Sequence, residues 1–266
     1  MSELQLRPAQ LEEITAVTTM GIGRVDQKYG VNHMQHEGSE TPLEYHNGRH
    51  TRNVIKNTGI LAVALEMPKE EQKIAEAAAG WHDVEQLEGS GINEAESITQ
   101  FEAAMRKHTT APEELICMGS MAIEGTLPIF KNGIIVHQKA IELDFPTKSA
   151  ERIAKSVSSG DLGELYRPNG PLDGHLLYQE ITRETEPSLE GLLEFQRKNL
   201  ALLDGTYRYP LKEAYDVLAT HRREVIRYSE HVLKQLEAGQ IDSLQQLLAN
   251  DEQFMKDPSP FATRTL

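Results

Sequence analysis

Apolar residues recur at helical spacing along most of the chain, and no stretch sustains the apolar–polar alternation of a half-buried strand. One helical pattern follows Pro8, a second runs from His46 to about residue 66, and a third follows Pro68. The sequence therefore predicts an all-α fold. Further helices are predicted at about 93–105 and 112–124, from a cap at Thr147 or Ser149 to about Leu165, and at about 172–184, 188–203, 211–237 and 240–256.

Two stretches interrupt these patterns. Residues 31–44 are polar and are predicted to form a loop, whereas residues 125–136 fit either a short strand or a loop. No linker divides the chain, so we expect a single all-α domain over residues 1–266. Within it we expect a core at about 40–168 and a C-terminal helical extension at about 169–256.

The charge and composition of the chain limit the kinds of partner and the compartment that we expect for it. Asp and Glu number 41 against 27 Lys and Arg, and a net charge of −14 argues against a broad nucleic-acid or anionic-membrane surface. The single cysteine, Cys117, excludes an intrachain disulfide and indicates a reducing compartment. The N-terminal residues lack a signal-peptide pattern, and no run approaches the roughly 18 apolar residues of a transmembrane helix. We therefore expect a cytoplasmic protein.

Two short motifs contain side chains that bind metals. YHNGRH places His46 and His50 four residues apart, which would put them on one face of a helix. His82 and Asp83 are adjacent, so both can reach one ion only near their shared edge, typically at a helix end. Asp161, in SSGDLGEL, offers a further carboxylate. Imidazole and carboxylate together suit a divalent ion, and the candidates are Mn, Mg, Fe, Co, Ni and Zn.

As an ordered set, YHNGRHTRNV, GWHDV and SGDLGEL resemble the His…His-Asp…Asp signature of the HD-domain phosphohydrolase superfamily, over residues 45–161. The resemblance implies a helical HD-domain bundle with one or two divalent ions. YHN-x-x-H also resembles the start of the class I cyclic nucleotide phosphodiesterase signature, in which the residue at His46 protonates the leaving oxygen. The metal ligands that the superfamily signature implies are His50, His82, Asp83 and Asp161.

The chain departs from the narrower phosphodiesterase pattern. Asn53 stands where an Asp is expected, and Gln86 stands where a His is expected. The two central histidines of two-metal HD sites are not evident, because only His108 and His137 occur between the HD pair and the last Asp. A one-metal site is therefore our main interpretation, with His137 as an extra ligand the lesser alternative.

The resemblance implies hydrolysis of a phosphate ester or anhydride of a small molecule, such as a nucleotide, by metal-activated water. His46 is the candidate proton donor, unless it is a fifth ligand. The candidate substrate-binding residues are Arg49, Lys131 and Glu94, the last in an Asn-Glu-x-x-Ser element that resembles one in bacterial HD hydrolases. The alternatives are a cyclic nucleotide phosphodiesterase, a two-iron HD-type oxygenase, or a non-catalytic ligand-binding HD module.

Overall fold

The computed structural model describes residues 5–182 and 187–262, and the expected all-α fold is confirmed. None of the helices in these ranges is long and apolar enough to cross a bilayer. The described α-helices are α1 (Pro8–Tyr29), α2 (Gly48–Ala64), α3 (Lys69–Trp81), α4 (Ile92–His108), α5 (Glu113–Gly125), α6 (Lys148–Asp161), α7 (Gly170–Thr182), α8 (Leu189–Ala201), α9 (Glu213–Val217), α10 (Arg222–Glu237) and α11 (Leu244–Lys256).

Two compact units make up the described chain. The first unit comprises residues up to 129, 137–162 and 209–217, and it contains α1 to α6 and α9. The second unit comprises residues 130–136, 163–208 and those from 218 onward.

In the first unit, the apolar stripes of α1, α2, α5 and α6 pack around α3. Ile14, Ile74 and Val157 are fully buried there. α1 and α3 approach closely at Gly21, where a Cβ would collide with the backbone of Gly80. The Trp81 indole donates a 2.8 Å hydrogen bond to the α1 backbone, so the C-terminal end of α3 is anchored just before the HD pair.

A second close approach joins α6 to α2. A Cβ on Gly160 would collide with the Thr58 hydroxyl, so only glycine allows this spacing. Asn57 Nδ2 also donates to the Gly160 carbonyl at 3.3 Å. These contacts fix the last turn of α6, which ends at Asp161 rather than near Leu165 as predicted.

Several predicted boundaries need correction. The segment 125–136, predicted as a strand or a loop, holds β1 (Pro128–Lys131) and the start of β2 (Ile134–Gln138). The two strands form a hairpin, and its turn holds two residues with positive φ, Asn132 at 55° and Gly133 at 74°. The single helix predicted at 211–237 is two helices, α9 and α10, because the His221 amide donates to the Tyr166 carbonyl instead of continuing a helix. α7 is described to Thr182, and the last two residues predicted for it lie outside the described ranges.

The second unit packs α7, α8, α10 and α11 around a buried polar network. His175 Nδ1 lies 2.6 Å from Asp251 Oδ2, and its Nε2 lies 3.0 Å from Gln196 Oε1. Tyr228 donates to the other Asp251 oxygen at 2.9 Å, and Gln196 Nε2 donates to the Ser229 carbonyl at 2.9 Å. Every polar atom named here has a partner, which is the condition for burying such groups at low cost.

Candidate metal centre

Three helix ends bring together the four residues that the sequence predicts as ligands. His50 lies in the first turn of α2, which begins after the N-cap Asn47. His82 caps the C-terminal end of α3 and Asp83 follows it, as expected for an adjacent pair that faces one point. Asp161 is the last residue of α6. The helix packing described above therefore sets the positions of all four side chains.

Their ligating atoms converge. His50 Nε2 lies 3.1 Å from both Asp83 Oδ2 and Asp161 Oδ1. His82 Nε2 lies 3.0 Å from Asp83 Oδ2, 3.5 Å from Asp161 Oδ1 and 3.4 Å from His50 Nε2. Atoms that each lie about 2.1 Å from one ion are about 3.0–3.4 Å apart in octahedral or tetrahedral coordination. His50, His82 and Asp83 each offer an atom within 4.8 Å of the other two and could together hold a metal ion, and Asp161 Oδ1 lies close to both imidazoles.

The side chains of the centre are buried, and their charges interact with one another. His50, His82 and Asp83 are all less than one-tenth exposed, and the two imidazole nitrogens are the close polar neighbours of Asp83 Oδ2. Burial alone would lower the pKa of His50 and His82, but the neighbouring Asp carboxylates raise it above its usual value. Burial would raise the pKa of Asp83 and Asp161, but the two imidazoles lower it. Two ionised carboxylates and two imidazoles are a donor set that fits a divalent ion.

Hydrogen bonds from neighbouring residues orient His82, Asp83 and Asp161 through the atoms that do not face the centre. His82 Nδ1 lies 2.8 Å from the Ala79 carbonyl, so Nδ1 carries the proton and Nε2 faces the carboxylates. Gln86 Nε2 donates to Asp83 Oδ1 at 2.6 Å, and Gln138 Nε2 donates to Asp161 Oδ2 at 2.8 Å. Sequence reasoning treated Gln86 only as a departure from a family pattern and missed Gln138 entirely. The spacing of three residues from Asp83 could have indicated Gln86, whereas Gln138 reaches the centre only through β2.

His46 lies beside the centre, but it is not part of the helix in which it was predicted. It precedes the N-cap of α2 and is not helical, so the expected one-turn spacing on a helix is wrong. The turn nevertheless places its ring 5.7 Å from the His50 ring, at an interplanar angle of 82°. The Tyr45 ring packs against both, at 4.7 Å from His46 and 4.5 Å from His50. His46 is therefore held next to a predicted ligand while remaining half-buried.

The Asn-Glu-x-x-Ser element supports the loop that follows the HD pair. Asn93 Oδ1 accepts from the amides of residues 88 and 89, both at 3.0 Å, and Ser97 Oγ accepts from the Glu85 amide at 3.3 Å. Glu94 accepts from the Gly91 amide at the start of α4. Burial raises the pKa of Glu94, and the charges of Asp83 and Asp161 add to that rise. Its role in substrate binding stays a prediction.

The remaining candidates differ in position. Arg49 is half-buried and immediately precedes His50 in α2. Lys131 is exposed at the end of β1 and belongs to the second unit, so its role stays a prediction. His137 pairs with Glu142 at 2.7 Å, a contact that occupies its Nε2 and gives no support for a role as an extra ligand.

Comparison with protein-family models, with curated proteins and with solved structures gives no match. The metal centre is therefore argued from the order of the motifs in the sequence and from the convergence of four side chains in the first unit. Any function assigned to this centre rests on the same observations.

Proposed function

We propose that this protein is a metal-dependent phosphohydrolase, with His50, His82, Asp83 and Asp161 as the ligands of one divalent ion. The observation that supports this most is the convergence of two imidazole nitrogens with a carboxylate oxygen of Asp83 and one of Asp161 in a buried site. Buried carboxylates need a positive partner, and a divalent cation held between these nitrogens and oxygens would supply one.

A divalent ion held there would lower the pKa of a water molecule and offset the negative charge of a phosphoryl group. Around it, the chain supplies a proton donor and a cation. The His46 ring lies 5.7 Å from the ring of the predicted ligand His50, a position that suits protonation of the leaving oxygen when the phosphorus–oxygen bond breaks. Arg49, one residue before His50, is the cation nearest in sequence for holding a phosphate oxygen.

The proposed substrate is a small phosphate ester or anhydride, such as a nucleotide. The net charge of −14 disfavours a polyanionic polymer, whereas one bound cation can reverse the charge locally for a small anion. The reducing environment implied by a single cysteine fits a cytoplasmic nucleotide enzyme.

The test is a hydrolysis screen with protein stripped of metal and then reloaded with Mn, Mg, Co, Ni, Fe or Zn. The substrates are nucleoside mono-, di- and triphosphates, cyclic nucleotides and an aryl phosphate. Metal-dependent release of phosphate or nucleotide, absent in Asp83→Ala, is the expected result. Tight metal binding without hydrolysis of any substrate would overturn the proposal and favour an oxygenase or a ligand-binding module.

A further inference from the structure

Two glutamines have equivalent positions around the centre. Gln86, in the turn after the HD pair, donates to Oδ1 of Asp83, and Gln138, at the end of β2, donates to Oδ2 of Asp161. In each carboxylate the oxygen that accepts from the glutamine is the one facing away from the imidazoles. In each carboxylate, one oxygen therefore accepts a hydrogen bond from a glutamine amide, and the other oxygen remains available to an ion.

The environment of each amide fixes which end faces the carboxylate. Gln138 Nε2 also lies 3.4 Å from the Thr126 carbonyl, and two acceptors on the same side require the NH₂ end there. Gln86 Oε1 lies 3.5 Å from Asn93 Nδ2, which leaves its NH₂ end for Asp83. A carboxamide donates a hydrogen bond at any pH and adds no charge, so it orients a carboxylate without competing with a cation.

We propose that Gln86 and Gln138 are positioning residues that restrict Asp83 and Asp161 to one ligating oxygen each and the centre to one ion. The inference rests on the proposed metal centre. A carboxylate that bridges two ions, about 3.5–4 Å apart, with one oxygen on each ion uses both of its oxygens, and here one oxygen of each carboxylate already accepts a short hydrogen bond. The partners of metal ligands typically contribute about 10- to 100-fold to metal affinity, because they hold the ligand in its binding orientation.

The test measures Mn²⁺ binding to metal-stripped protein by titration calorimetry. Gln86→Met and Gln138→Met keep the size of the side chain but remove the donor. The matched control is Gln72→Met, since Gln72 lies in the same unit, donates one hydrogen bond to a backbone carbonyl and sits at the opposite end of α3 from His82. We expect one ion per wild-type chain, an affinity weakened about 10- to 100-fold in each of the two variants, and wild-type affinity in the control.

Two further readouts separate positioning from general destabilisation. The thermal unfolding midpoint of the stripped proteins shows whether a variant has lost stability, and the half-buried Gln86 provides the test if Gln138→Met unfolds. The visible spectrum of the Co²⁺-loaded protein reports the coordination of the ion, and we expect it to change in Gln86→Met and not in Gln72→Met.

Metal binding that stays within about threefold of wild type in both variants, or that becomes tighter, would overturn the inference while leaving the proposed function intact. Two ions per wild-type chain would overturn it as well. Failure of the wild-type protein to bind any divalent ion would instead remove the proposed function itself.

Discussion

At the scale of single residues, Asp161 is the most informative ligand because it is remote in sequence from the other three. Asp161→Asn keeps the shape of the side chain but replaces an ionised oxygen with a neutral amide. We expect the variant to lose its metal on dialysis while retaining its fold, because the contacts of Gly160 with α2 do not involve the Asp161 carboxylate. Metal analysis after dialysis checks this. Asp26→Asn, which removes a carboxylate that pairs with Arg52, is the control and should retain the metal.

His46 has a role that can be separated from that of the ligands. In His46→Ala we expect the metal to stay bound and kcat to fall by roughly 10²–10⁴-fold, since a general acid assists the reaction without holding the ion. Steady-state kinetics together with metal analysis measure both effects. Loss of the metal from this variant would show that His46 is a fifth ligand.

At the scale of secondary structure elements, the close approach of α6 to α2 determines where Asp161 sits. In Gly160→Ala the added methyl group would lie 3.0 Å from the Thr58 amide nitrogen and 3.2 Å from the Val54 carbonyl. We expect the variant to lose about 1–3 kcal/mol of unfolding free energy, as is typical of overpacking, and to bind metal more weakly. Denaturant unfolding and calorimetry provide the two measurements.

A control for this prediction lies on the partner helix. Gly59 of α2 has open space where a methyl group would go. Gly59→Ala should therefore stabilise the protein by up to about 1 kcal/mol through helix propensity and leave metal affinity unchanged. Equal losses of stability in Gly160→Ala and Gly59→Ala would mean that the close contact of Gly160 with α2 does not explain the loss.

Most of these elements could be predicted from sequence because helices depend on local periodicity, as in α1, α2 and α3. The predicted helix boundaries are wrong where contacts between residues distant in sequence determine where a helix begins or ends. A hydrogen bond from His221 to the Tyr166 carbonyl accompanies the break between α9 and α10, and α6 ends where Gly160 meets α2. His46 lies outside α2 because Asn47 caps that helix, and an Asn followed by a helical pattern was a cap signal present in the sequence.

At the scale of the whole molecule, the order of the motifs predicted which four side chains converge, but not what surrounds them. Gln138 reaches Asp161 across 23 residues of sequence and the buried network of the second unit joins α7 to α11, so neither had a local pattern. Both are buried polar contacts, which depend on the full set of neighbours rather than on spacing.

The network in the second unit predicts how stability depends on pH. Burial alone would lower the pKa of His175, but the charge of Asp251 and the hydrogen bonds to Asp251 and Gln196 raise it above its usual value of about 6.5. The folded protein therefore binds this proton more tightly than the unfolded chain does. The resulting stabilisation is complete below about pH 6.5 and is lost as the pH rises through the raised pKa of the folded state.

His175→Gln tests this dependence, with the exposed His231→Gln as the control in the same unit. The difference in unfolding free energy between wild type and His175→Gln should be largest below about pH 6.5 and should shrink at higher pH, as measured by denaturant unfolding across a pH series. The two ligand histidines contribute equally to both proteins, so the difference isolates His175. A difference that grew with pH would show that His175 is neutral in the folded protein and that the Asp251 carboxylate does not hold its proton.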